Sequence, residues 1–512
     1  MVFSSVIFLL VFLPLVLAMY YLVPGRAMKN ILLLLVSIVF YAWGEPVYVV
    51  LMVVSICVNW LCGVLMERLS SSKRLLLVLC LLVNLGILGF FKYEGFLAAN
   101  INALLGAELV PQLQLALPIG ISFYTLQALS YVIDVYRGEV PAQRNVLYLG
   151  MYIAMFPQLV AGPIVRYSDI QEQVLNRKES LRKFSSGIRL FCIGLGKKVL
   201  LANVVAILAT KMLADGGENI GVVGAWAGLI AYTFQILFDF SGYSDMAIGL
   251  GKMFGFEYRR NFNYPYISRS VTEFWRRWHI SLGSFFRDYV YIPLGGNRVS
   301  RSRWVVNLFV VWLLTGFWHG AAWNFILWGL FYGCLLAFEK VWLGQRLAKL
   351  PQVIQHIYAI LAFMAGWLIF WIEDLGTMGA YIATLFGAHG LTGQVTMWEL
   401  TAWEYLPIFA CCVLASTPVV PWLREKLVAW ACGRPSVSAR QGLAHEKSLG
   451  VECQCDYERW LEEAASAGAT KGKQAVLQVV FVATDVLCVA LLVASVLSVV
   501  SGSFNPFIYF RF

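Results

Sequence analysis

Apolar residues in this chain run in long unbroken stretches, not in the short stripes of a water-soluble helix. A bilayer demands such stretches, because about 20 apolar residues in a helix span a hydrocarbon core of about 30 Å. They place candidate spans over 4–23, 30–43, 47–66, 75–92, 115–136, 146–164, 186–212, 221–250, 304–340, 353–373, 403–421 and 476–501. The run 304–340 is longer than one crossing needs, so it reads as two helices or as one helix with a re-entrant segment. A transmembrane barrel would show short alternating strands instead. The pattern predicts an all-α polytopic membrane protein with about 11–13 membrane helices plus re-entrant and interfacial helices.

Two blocks break the apolar rhythm. Residues 251–303 are polar, aromatic and basic: too polar to span, too aromatic for a plain linker. Within them Trp275, Trp278, His279 and Leu282 recur at helical spacing, and Glu273 and Arg277 form an i,i+4 pair on another side. This predicts one amphipathic interfacial helix with His279 pointing inward. Residues 433–475 read as a polar exposed loop before the last membrane helix, partly helical around DYERWLEEAA. Both blocks are read as parts of a single membrane domain, 1–512.

Composition strengthens this reading. The 512 residues are 60% hydrophobic and only 13% charged, against roughly 25% charged in soluble domains, and mean hydropathy is +0.72. The net charge of +10 does not point to nucleic acid, because the basic residues cluster between apolar runs as membrane-flanking residues do. Loops 24–29, 67–74 and 137–144 are separated by pairs of spans and share a side, which the positive-inside rule makes cytoplasmic. The basic loop 166–183 then falls on the wrong side unless 146–164 fails to cross. PQLVAGP (157–163) would break a helix there, and irregular backbone survives at that depth only when protein or a water-filled cavity surrounds it. The N-terminal run has no preceding Lys or Arg, so it reads as the first membrane helix, not as a cleavable signal.

Of eleven cysteines, Cys57, Cys62, Cys80, Cys192, Cys334, Cys411, Cys412 and Cys488 lie in apolar runs and act as small hydrophobes. Cys432, Cys453, Cys455 and His445 share a polar stretch, but their spacing matches no standard metal site, and no metal is expected.

The chemistry-bearing candidates are few. His319 lies in TGFWHGAAWNF, inside a strongly apolar run. An ionisable group there is a functional-site hypothesis by default. A neutral imidazole would serve as a base for a hydroxyl, and Gly316 and Gly320 would let another helix approach. Phe317, Trp318 and Trp323 would wall a narrow pocket. A structural histidine and a haem ligand remain open readings. His279 orients a substrate, polarises a carbonyl, or is an interfacial residue. Asp239 and Asp245 in ILFDFSGYSDMAIGL suit a proton path or structural pairing with arginines, and Asp134 has Arg137 at i,i+3. P-loop, GxGxxG, HExxH and GxSxG motifs are absent.

FWRRWHISLGSFFRDYVYIPLGGNR (274–298) and LLTGFWHGAAWNFILWGLFYG (313–333) together resemble the core of the membrane-bound O-acyltransferases. FSSVIFLLVFLPLVLAMYYLVP, LPIGISFYTLQALSYVIDVYRG, FPQLVAGPIVRY, FDFSGYSDMAIGLGKMFGF and FNPFIYFRF resemble the bacterial branch that acetylates alginate. The resemblance implies helices ringing a central funnel, with His319 catalytic and His279 supporting. It implies substrate contacts from Trp275, Arg276, Arg277, Trp278, Arg287, Trp318 and Asn324. It also implies no bound cofactor, but an acyl thioester substrate, either acetyl-coenzyme A or an acyl carrier. The expected location is the bacterial cytoplasmic membrane. Expected partners are membrane lipid, a cell-surface polysaccharide and periplasmic acetyl-transfer proteins. D-alanyl transfer to teichoic acids is the nearer rival, and a transporter or flippase using Asp239 and Asp245 the more distant one.

Overall fold

The structure, a computed structural model, describes residues 1–113, 115–213, 219–392, 405–433 and 457–502. The ending FNPFIYFRF, His445, Cys453, Cys455 and most of the polar block 433–475 lie outside the described residues. Every regular element among the described residues is helical. The apolar runs fold where expected, and the run 304–340 is two helices, Arg301–His319 and Trp323–Phe338. The helix expected in the polar block spans Tyr457–Ser466.

Among the described residues, seven helices are long and apolar enough to cross a bilayer, or eight if the bent pair Tyr405–Ala415 and Val419–Cys432 counts as one span. The 11–13 expected include runs that fold as shorter apolar helices, Phe8–Leu22 among them. Hydropathy detects apolar stretches but not where they end up. Arg26–Ala42 and Ile121–Arg137 have only 17 residues each, and Ile121–Arg137 is buried almost throughout. The apolar stretches of Leu181–Leu213 and Gly221–Met253 are 61% buried and those of Ser70–Leu105 and Lys471–Ser501 only 17%, so the first two are central and the last two peripheral.

The two central helices touch backbone to backbone. A Cβ on Gly187 would lie 2.6 Å from Gly249 O, and one on Gly194 would lie 2.6 Å from Gly242 O. Small residues at such crossings are the usual means of close packing where lipid removes the hydrophobic drive. Lys197–Asp245 (2.7 Å) and Lys198–Asp239 (2.8 Å) strap the same pair of helices. Both aspartates are thus paired, with lysines instead of arginines. Asp134 also departs from expectation: Tyr289 Oη donates to it at 2.8 Å, while Arg137 turns to Glu139 and to the Asp288 carbonyl.

The conflict over sidedness resolves. Helix Val146–Ala154 ends at Met155, and a short turn Phe156–Leu159 follows. The chain then returns to the face it left. Gln143 Nε2 donates to Tyr167 Oη at 2.8 Å, and Arg166 and Arg137 both meet Asp288. The segment 146–164 is therefore re-entrant. Arg144–Glu67 and Lys183–Glu257 add the remaining basic loops to this face. Helix Lys73–Leu105 leads away from it, and on the opposite face Asn100 accepts from Trp323 Nε1.

Arg26, Lys29 and Tyr20 converge on Glu179 at the basic face. Burial opposes ionisation of Glu179, but the Arg26 and Tyr20 hydrogen bonds outweigh it and hold the carboxyl down at about 2. A carboxyl depressed on folding stabilises the protein above its unfolded value of about 4.3, and that contribution fades as pH falls towards 2. Glu179→Gln is expected to cost on the order of 2 kcal/mol at pH 7. It should also flatten the acid side of a plot of thermal midpoint against pH in detergent, measured between pH 7 and 3.

Candidate active site

His319 is the last residue of helix Arg301–His319. The chain turns through Gly320 and folds back as helix Trp323–Phe338. A Cβ on Gly316 would run into the Phe325 carbonyl and one on Gly329 into the Trp312 carbonyl, so the two helices form a tight hairpin. The His319 ring is 6% exposed on a residue basis. It is clasped by Trp318, Trp328 and Phe370, with ring centroids at 4.9, 5.1 and 5.2 Å. Its Nδ1 has no hydrogen-bond partner. With Lys92, Ser122, Phe123 and Trp318 it lines a cavity of about 180 Å³. This cavity lies on the face opposite the basic loops, beside the turn that opens helix Ile121–Arg137.

Lys92 belongs to the site and was not expected. Its Nζ donates to Trp318 O (2.6 Å), His319 O (3.1 Å) and Ser122 Oγ (3.2 Å). These use all three ammonium hydrogens, and the charge sits where the helix dipole favours a cation. The lone charge closing the apolar run before YEGF was the available signal.

The amphipathic helix expected around His279 is in fact two helices. Val271–Arg277 ends at Trp278, and Ile280–Phe286 begins after His279. His279 itself takes the left-handed conformation, φ 45 and ψ 52, uncommon for a residue with a Cβ. Asn261 holds the break. Its carbonyl accepts from Ile280 N at 2.9 Å, and its Oδ1 accepts from Ser281 N and Oγ at 3.1 and 2.9 Å. Ser281 Oγ accepts in turn from Ile164 N at 3.0 Å, tying the kink to the re-entrant segment. Glu339 accepts from Val271 N, Thr272 N and Thr272 Oγ1, anchoring the start of the first helix.

The kink turns His279 into its own helix cap, as Nδ1 accepts from Leu282 N at 3.2 Å. A ring nitrogen that accepts carries no proton, so Nε2 holds it and is a donor. Nε2 has no protein partner. His279 lines a second cavity, of about 500 Å³, with Trp275, Arg276, Arg287, Trp312 and Lys340. This one lies at the basic face. Arg276 makes no ion pair among the described residues. Arg287 is held by Asp288 at 2.6 and 3.0 Å yet still faces the cavity. Lys340, which closes the long apolar run, was also missed.

Three expected contact residues line neither cavity. Arg277 is engaged by Glu273 and the Asn263 carbonyl. Trp278 is core, packed on Phe274 and Trp367. Asn324 donates to the Ile369 and Phe370 carbonyls and so braces the ring that rests on His319. Spacing put all three near the histidines but gave no direction to their side chains.

The two imidazoles, each with an unpaired nitrogen, thus line separate cavities at opposite faces of one helical bundle. The sequence profile of the membrane-bound O-acyltransferase family matches residues 72–373, which contain both cavities. The chain belongs to that family and is a multi-pass membrane acyltransferase. A probable alginate O-acetylase from Azotobacter vinelandii is 39% identical over the whole of both chains. A peptidoglycan O-acetyltransferase from Helicobacter pylori is 34% identical over 77% of this chain and 81% of its own. A teichoic acid D-alanyltransferase from Streptococcus thermophilus is 31% identical, but over only 44% of this chain and 58% of its own.

Lys92→Met removes the cation and all three donors at the end of the His319 helix. Acyl transfer is expected to fall at least about tenfold, equivalent to about 1.4 kcal/mol of transition-state stabilisation. Product formed per unit of membrane-inserted enzyme is the measure.

Proposed function

We propose that this protein moves an acetyl group from a cytoplasmic thioester to a hydroxyl outside the cytoplasmic membrane, for eventual O-acetylation of a cell-surface polysaccharide. One observation carries this reading: a single helix, Arg301–His319, borders both cavities. Leu308, Trp312 and Thr315 face the basic one, and Trp318 and His319 the other. The positive-inside rule puts the basic cavity in the cytoplasm.

The donor enters there. Arg276, Arg287 and Lys340 attract its phosphates by charge-assisted contacts, and Trp275 and Trp312 flank the apolar arm. A proton on His279 Nε2 donates to the thioester carbonyl oxygen as negative charge develops on it. The acceptor hydroxyl enters from the opposite face beside His319. His319 takes the hydroxyl proton while the oxygen attacks the carbonyl carbon. The carbon–sulfur bond breaks, the new ester leaves with the acceptor, and the proton passes from His319 to the departing thiolate. The direct acceptor is a polymer hydroxyl or that of a periplasmic partner protein, and the donor is acetyl-coenzyme A or an acyl carrier. The O-acetylating relatives, aligned over most or all of their length, favour acetyl over D-alanyl.

In cells with matched membrane levels, His319→Ala is expected to cut surface O-acetyl by about 10²–10⁴-fold, the worth of a general base. His279→Ala should cost about 10²–10³-fold, the worth of one oxyanion donor. Unchanged acetylation in the first would end this reading. Arg276→Ala, measured with acetyl-coenzyme A on membranes, should raise KM about tenfold and leave kcat nearly unchanged.

A further inference from the structure

The two cavities share no lining residue. The indole of Trp318 lines the acceptor-side cavity and rests on the His279 ring of the donor-side cavity, with centroids 6.2 Å apart. It is fixed on several sides. Phe123 packs against it at 5.4 Å, and Lys92 Nζ lies 5.8 Å over its ring. Its Nε1 donates to Ser122 O at 3.4 Å. The residue is only 6% exposed. Thr315 borders the donor side and His319 the acceptor side, one helical turn of roughly 6 Å apart. Between them on this helix lies Trp318, whose ring meets both the acceptor-side cavity and the His279 ring.

We propose that Trp318 is a septum that determines acyl transfer to a hydroxyl instead of to water. This rests on the acyl-transfer reading above. Water reaching the donor thioester would attack the carbonyl carbon, break the carbon–sulfur bond and yield a carboxylate, a free thiol and a proton. His319 would assist water as readily as it assists a hydroxyl, so the base offers no discrimination. Exclusion of acceptor-side water does. The indole also stands between the two cavities along this helix, so at rest the same side chain keeps protons from crossing, and it yields only to the acceptor hydroxyl during transfer. Removing it leaves room for several waters, each occupying about 30 Å³.

The test uses full-length protein reconstituted into lipid vesicles holding a pH-sensitive dye. After an imposed pH step, proton entry through Trp318→Ala and Trp318→Val should exceed the wild-type rate at least tenfold, while Trp318→Phe stays near it. Either truncated variant suffices, provided it elutes as a single species in detergent. Wild-type rates in both truncated variants, or a Phe variant as leaky as Ala, overturn the septum. On membranes given acetyl-coenzyme A, the truncated variants should also release several-fold more thiol per acetyl transferred. An unchanged ratio overturns the claim about water. The leak needs no substrate, so it stands apart from the acetylation assay: acetylation surviving His319→Ala would sink the catalytic reading and leave the septum result intact.

Discussion

A helix that stops at membrane depth exposes its last carbonyls where no lipid can satisfy them. Helix Arg301–His319 ends buried within the bundle, and much of the site follows from how those groups are met. Tyr93 Oη donates to Phe317 O at 2.6 Å, and Lys92 takes Trp318 O and His319 O. The Tyr93 and Phe317 rings stack at 3.9 Å beside them. Both donors come from helix Lys73–Leu105, which the chain places at the lipid-facing periphery. A mostly lipid-facing helix thus reaches in to finish the helix that carries the His319 imidazole.

The basic face solves a different problem, how to keep an imidazole proton pointing one way. A histidine on an ordinary helix would present either nitrogen. At the break between two seven-residue helices, the ring must cap the second helix, and the cap fixes the tautomer. Asn261, Ser281 and Ile164 make the break reproducible, and Glu339 anchors the helix that precedes it. None of these residues stood out as chemistry-bearing in the sequence, yet they set the geometry of His279, which did.

Much of this was legible in the sequence, for identifiable reasons. Long apolar runs report helices directly, so nearly every candidate span corresponds to one. PQLVAGP announced its break because proline cannot continue a helix, and the basic loops on either side independently required it. His319 stood out because an ionisable group in an apolar run is costly. Other features depend on side-chain direction, which spacing does not carry. Trp278, Arg277 and Asn324 sit beside the histidines in sequence but face the core or carbonyl partners. Lys92 is more than 220 residues from the carbonyls it meets. The split at His279 was hidden because Trp275, Trp278 and Leu282 keep perfect helical spacing across a kink.

The bond from Ile164 N to Ser281 Oγ spans 117 residues. Ribosomes add about 5–20 residues each second, so roughly 6–23 s separate the emergence of its two ends. Through that interval the re-entrant stretch must wait, already synthesised but lacking the hydroxyl that receives one of its backbone groups. Until then its neighbours, a chaperone or the insertion machinery must shelter it from lipid. The half-built protein is therefore vulnerable at a place where the finished one is among its most buried.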